Sequence, residues 1–198
     1  VEIQAGMLCA LDVLTSLTQD QEYAERYRSL KKAVRKKLVR KDVVYDGYAD
    51  ASVDTTLRPN VFLAYYLHPD MVPSSTWHHT FEAVLDACWL DWGGLSSIST
   101  DHDLFHAHHT GVDNNSYHRG DSWYYVNNIA AIALDDLGPH RYLKYIERIR
   151  SASLKDYEEL GAIGACSEIS DAHAQSSQGC FSQAWSKATL LELLRRMA

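Results

Sequence analysis

Four apolar helical segments recur along this sequence, beginning near Glu2, Arg58, Asp121 and Phe181, about sixty residues apart. Between them stand more charged, amphipathic segments beginning near Asp20, Ser74 and Pro139. A helix that is apolar nearly all round must be buried on several sides, whereas an amphipathic one covers a core with a single stripe. The alternation therefore describes repeated helical hairpins, with apolar helices on an inner ring and charged ones outside. A ring of six such hairpins needs roughly 350 residues at this period, so the 198 residues account for about half of it.

The first segment, Glu2 to Leu17, carries Ile3, Met7, Leu11, Leu14 and Leu17 at helical spacing, with Leu8, Ala10 and Val13 widening the face. Its few charges predict burial on several sides. Asp20 is placed to cap a second helix running to Leu38, with Tyr23, Tyr27, Leu30 and Val34 on one stripe and Lys31, Lys32, Arg35, Lys36 and Lys37 on a solvated face. Arg58-Pro59-Asn60 opens a third helix through the apolar run Val61 to Tyr66. Pro69 and Pro73 bracket a break, and Ser74 or Ser75 caps a fourth helix to about Leu90. Arg119-Gly120-Asp121-Ser122 opens the fifth, which Gly138-Pro139 ends. The sixth extends toward Leu160 with Tyr142, Ile146 and Ile149 in step, and the seventh runs from about Phe181 with Trp185, Ala188, Leu191 and Leu194. Only Val43-Val44-Tyr45 is a candidate strand. The fold class predicted is all-α, with residues 1–198 forming part of one domain.

A net charge of −7 lacks the basic footprint of a nucleic-acid binder. Cys9, Cys88, Cys166 and Cys180 lie far apart without metal-type spacing, which predicts free thiols in a reducing, cytoplasmic setting. No apolar run approaches the eighteen or so residues of a membrane span, and no basic-then-apolar leader is present. The sequence starts without Met and almost directly in helical pattern, as a fragment or cleaved chain would.

The stretch Gly164 to Trp185 is long and polar for a connection in a helical domain, a form typical of functional or disordered loops. Glu168 stands in it among Ile163, Ala165, Cys166 and Ile169, flanks that predict a partly desolvated carboxylate suited to proton transfer. Carboxylate pairs cleave glycosidic bonds. Tyr117-His118-Arg119-Gly120-Asp121-Ser122-Trp123 is dense in groups that bind sugars: Arg and Asp for paired hydroxyls, Trp for a pyranose face. The plain alternative is that Asp121 or Ser122 caps a helix. Asn127 and Asn128 read as core amides. The loop carrying His102, His106, His108 and His109 has ligand types for a metal site, but the HExxH spacing of a metalloprotease is missing.

At these residues the sequence resembles a known family. VEIQA at the start, LRPNVFLAYYL, WGGLSSIS, NSYHRGDSWYYVNNIAAIAL and GACSEISDAHAQSSQGCFSQAWS are similar, in order, to motifs of the amylo-α-1,6-glucosidase family, the glucosidase part of glycogen debranching enzymes, with closest similarity to archaeal-type members. The resemblance implies the C-terminal half of a six-hairpin (α/α) toroid glycosidase, hydrolysing α-1,6-linked glucose at branch points of glycogen or limit dextrin with inversion and without a cofactor. It assigns Glu168 as general base. The family's general acid, an Asp in a Trp-Met-Asp motif, is expected upstream of Val1, and no such motif occurs in the sequence. Arg58, Tyr117, His118, Arg119, Asp121, Trp123, Gln183 and Trp185 match motif positions and are expected to line the glucose pocket. The sequence departs from the family at Gly6-Met7, where members carry an aromatic pair, and in the His106 to His109 loop. This chain alone is expected to be inactive, with an apolar flank covered by the missing N-terminal half or by a separate subunit. The competing expectation is a non-catalytic α-glucan-binding or regulatory half-toroid.

Overall fold

The computed structural model describes residues 1–49 and 51–197, in two compact units: Val1–Thr56 with Asn60–Ala83, and Leu57–Pro59 with Val84–Ala198.

The first unit opens with helices α1 (Glu2–Thr18) and α2 (Gln21–Leu38), which pack together. Gln19, in the left-handed region at φ 57°, ends α1, and the Asp20 carboxylate caps α2 by accepting the Glu22 N–H at 2.8 Å. Two small hairpins follow. β1 (Val39–Arg40) pairs with β2 (Val43–Val44) around Lys41 and Asp42, both at positive φ, and β3 (Gly47–Ala49) pairs with β4 (Ser52–Asp54). Helix α3 (Asn60–Leu67) packs on α1, a 3-10 turn spans Pro69–Met71, and α4 (Ser74–Cys88) begins. Phe62, Tyr65, Trp77 and Phe81 form an aromatic cluster, with the two Phe rings 4.5 Å apart.

One expectation fails in this unit. Ala5, Leu8 and Leu11 of α1 are buried, but Ile3 is 71% and Leu17 76% exposed, and Met7, Val13 and Leu14 are exposed with them. The helix carries apolar residues for two faces and the chain covers one.

The second unit contains β5 (Ser122–Trp123), α5 (Tyr124–Leu137), α6 (Pro139–Glu159), β6 (Ile169–Ser170), β7 (Ser177–Gln178) and α7 (Ala184–Arg196). Helix α5 packs against both α6 and α7, and its residues from Val126 to Leu134 are all buried. The two core amides are fully engaged. Asn127 accepts the Leu95 N–H and donates to Ser122 Oγ, while Asn128 accepts Ser153 Oγ and donates to Ser186 O. The three strands form one antiparallel sheet, Ser122 facing Ser170 and Ser170 facing Ser177.

Helix boundaries shift accordingly. Helix α5 starts at Tyr124 rather than Asp121, because Ser122 and Trp123 pair with β6, and neither Asp121 nor Ser122 caps it. Helix α7 starts at Ala184 rather than Phe181, and α4 ends at Cys88 because Trp89 and Leu95 form a bridge. All four cysteines are free, with burial pushing the Cys88 thiol up to about 12. Among the described residues, no helix is long and apolar enough to cross a membrane.

Candidate active site around Glu168

The sheet β5–β6–β7 brings together the two stretches singled out in the sequence. Register places Trp123 opposite Ile169, and the Tyr124 N–H donates to Glu168 O, so the residue before β6 stands beside the start of α5. Glu168 is also tied to the far side of the loop: its N–H donates to Cys180 O at 2.9 Å. The Cys180 N–H in turn donates to Glu168 Oε2 at 2.9 Å. The return at Gly179 needs glycine. Its φ is +70°, and a Cβ there would meet Glu168 Oε2 at 2.6 Å.

Below this loop lies Asp156, a buried residue of α6. One oxygen accepts the Ser167 N–H at 2.8 Å and the other accepts Ser177 Oγ at 2.6 Å, so one carboxylate pins both arms that flank Glu168. The sequence reading missed it, although Asp156 falls on the apolar stripe two helical turns beyond Ile149.

The Glu168 carboxylate is half-buried and held at both oxygens. Tyr117 Oη donates to Oε1 at 2.5 Å and the Cys180 amide donates to Oε2. Burial, reinforced by the adjoining carboxylate, pushes the Tyr117 hydroxyl up to about 12, so it remains a donor at neutral pH. A carboxylate with one donor on each oxygen keeps lone pairs for a further proton donor such as water. Of the apolar flanks expected around it, Cys166 and Ile169 are buried, whereas Ile163 is exposed.

Around the carboxylate stands a group of rings. Trp123 donates Nε1–H to Tyr117 O at 2.9 Å, its ring lies 4.5 Å from that of Tyr117, and His118 stacks on it at 7° and 5.4 Å. Tyr125, not singled out in the sequence, stacks on Trp185 at 4.8 Å and stands edge-on to Trp123 at 6.0 Å. Trp185 is half exposed.

The remaining sequence-predicted residues divide in position. Arg58 donates to Ser97 O and His118 O, fastening the loop that carries Tyr117. Gly120 lets that loop close, since a Cβ there would sit 1.8 Å from His106 O. The Asp121 carboxylate is fully buried and turned to His109 and Ser116. Arg119 is half-buried, and among the described residues its guanidinium has no hydrogen-bond or ion-pair partner. Gln183 stands at the N-cap of α7 and donates its backbone N–H to Cys166 O at 2.7 Å. The His-rich loop is tied down by hydrogen bonds, and among the described residues no group of three or more His, Cys, Asp or Glu is placed to hold a metal ion.

The family model described as amylo-alpha-1,6-glucosidase matches residues 1–192. No curated protein matches the sequence. Among solved structures, the GH63 mannosylglycerate hydrolase from Thermus thermophilus, in complex with glucose, superposes with a TM-score of 0.67 at 17% identity, covering 98% of this chain and 46% of that one. Neutral trehalase from Saccharomyces cerevisiae superposes with a TM-score of 0.67 at 12% identity, covering 99% of this chain and 36% of that one. The chain thus spans less than half the length of these structures. At such identities the likeness is one of fold: a mostly helical chain built as part of a six-hairpin α/α toroid.

Proposed function

Because the chain belongs to the amylo-alpha-1,6-glucosidase family, we propose that it supplies one side of a glucosidase site that hydrolyses α-1,6-linked glucose at branch points of glycogen or limit dextrin. Glu168 is the general base. A water hydrogen-bonded to its carboxylate attacks the anomeric carbon from the face opposite the leaving oxygen, and Glu168 takes the water's proton as the new C–O bond forms. An acid from residues outside this chain protonates the departing sugar oxygen. Inversion requires room for that water, with the two carboxyl groups about 6.5–9.5 Å apart. Tyr117 and the Cys180 amide fix the carboxylate's direction, so that only the water has to be positioned.

The rings of Trp123 and Trp185 offer apolar faces for pyranose stacking, and Arg119 has donors free for adjacent hydroxyls. Tyr117, His118 and Gln183 complete the lining. Arg58 acts from behind, through the loop it holds, and Asp121 is buried behind the lining. The missing side of the pocket comes from the preceding half of the same domain, whether in one polypeptide or as a separate subunit. The reading places the protein in a reducing, cytoplasmic setting, where widely spaced cysteines stay as thiols.

The observation that carries this reading is the two-point grip on Glu168 beside a cluster of aromatic rings. In the complete protein that carries this chain, Glu168→Gln is expected to lower turnover on branched limit dextrin by at least about 100-fold with little change in binding. Hydrolysis at near-normal rate by that variant sinks the assignment. Glucan binding by the 198-residue chain alone, with no turnover dependent on Glu168 in any assembly, supports a non-catalytic binding module instead.

A further inference from the structure

Two carboxylates are given over to the placement of one imidazole. His109 Nδ1 stands 2.8 Å from Asp121 Oδ2, and its backbone N–H donates to Asp171 Oδ2 at 2.8 Å. Asp171 also accepts the N–H groups of His173 and Ala174, and the His108 ring stands 3.5 Å from it. Burial works against its ionisation, but these backbone donors and His108 outweigh it and hold Asp171 below the usual carboxylate range. His109 is therefore gripped from two loops, at the ring and at the main chain.

Asp121 is the unusual partner. It is 0% exposed, and its Oδ1 is buried without a hydrogen-bond partner among the described residues. Burying a carboxylate with one oxygen unsatisfied is costly, and a loop staple does not need it: Ser116, whose Oγ donates to Asp121 and accepts the Thr110 N–H, already closes the turn. What the carboxylate adds is orientation. It fixes the proton on Nδ1 and turns the ring, leaving Nε2 without a hydrogen bond among the described residues and 18% of the side chain accessible.

The position fits the site. Asp121 directly precedes β5, Asp171 directly follows β6, and Glu168 directly precedes β6, so the His109 clamp and Glu168 stand at opposite ends of one two-residue strand. Three residues of strand span about 10 Å, within the length of a short oligosaccharide.

We propose that His109 is a sugar-binding residue of this site, its Nε2 meeting a hydroxyl of the bound glucan, and that Asp121 acts on substrate only through it. This rests on the glucosidase reading above. A hydroxyl suits Nε2, since it both donates and accepts.

Two amide substitutions in the complete protein separate contact from staple. The Asn amide reproduces Nδ1 and the Gln amide reproduces Nε2. His109→Asn is expected to keep the melting temperature of the wild type yet bind maltotriose about tenfold more weakly by calorimetry, with a matching loss in kcat/KM. His109→Gln is expected to lower the melting temperature and retain more of the binding. Wild-type affinity in a stable His109→Asn protein overturns the proposal and leaves a loop staple. Should that variant unfold, the ring signals of His109, assigned by their absence in His109→Gln, are followed as maltotriose is added to the wild type; unshifted signals overturn it equally. A wild-type protein that neither binds maltotriose nor hydrolyses limit dextrin removes the glucosidase reading itself, which is a separate result.

Discussion

Tyr117 and Glu168 lie 51 positions apart in sequence and share a 2.5 Å hydrogen bond, so each reports on the other. Burial is the first cause of the raised Tyr117 pKa, and the carboxylate is the second. In the unfolded chain this tyrosine titrates near 10, while in the folded chain it holds its proton to about 12. Its contribution to stability is thus fully present below pH 10 and disappears as the pH rises through about 12. A difference titration of tyrosinate absorbance is expected to lose one late-titrating group in Tyr117→Phe and to show that group titrating earlier in Glu168→Gln. An unchanged titration in Glu168→Gln means the two side chains do not meet in solution. Tyr117→Phe in the complete protein also removes the donor to Oε1, and turnover is expected to fall about tenfold.

At the scale of elements, the site depends on strands only two residues long. Asp156 braces them, and Asp156→Ala leaves the Ser167 N–H and the Ser177 hydroxyl without their acceptor in a buried place. The expected cost is about 2–3 kcal/mol, read as a lowered denaturation midpoint at unchanged denaturant slope. A midpoint equal to wild type means water replaces the carboxylate. These strands are also the elements that leave no pattern in the sequence. The helices were legible because Tyr142, Ile146 and Ile149, or Leu8 and Leu11, repeat an apolar signal over several turns. Ser122-Trp123 and Ile169-Ser170 are too short for any alternation to register, and their pairing spans nearly fifty residues. Glu168 stood out because it is a lone acid in a polar loop. Its partner Tyr117 reads as a sugar contact, and nothing local in the sequence joins the two. Asp121 reads as a cap or a sugar ligand because its contact with His109 is made only by the fold.

For the molecule as a whole, the telling feature is what α1 leaves uncovered. Ile3, Met7, Leu14 and Leu17 repeat at helical spacing and form one exposed apolar stripe, while Ala5, Leu8 and Leu11 fill the core behind it. A stripe of this kind marks an interaction surface, and chains of the same fold that are more than twice as long contain residues with no counterpart in this one. The 198-residue chain on its own is therefore expected to self-associate through α1. Met7→Glu combined with Leu14→Glu places two charges on the stripe without touching Ala5, Leu8 or Leu11, so the helix and its core are retained. Sedimentation velocity is expected to show concentration-dependent association for the wild-type chain and a monomer for the double variant, with the same far-ultraviolet circular dichroism. In the complete protein the same two charges are expected to lower the melting temperature, because the stripe is covered there. If the wild-type chain sediments as a monomer and the complete protein tolerates both charges, α1 faces solvent in the working molecule and its apolar stripe has no structural partner.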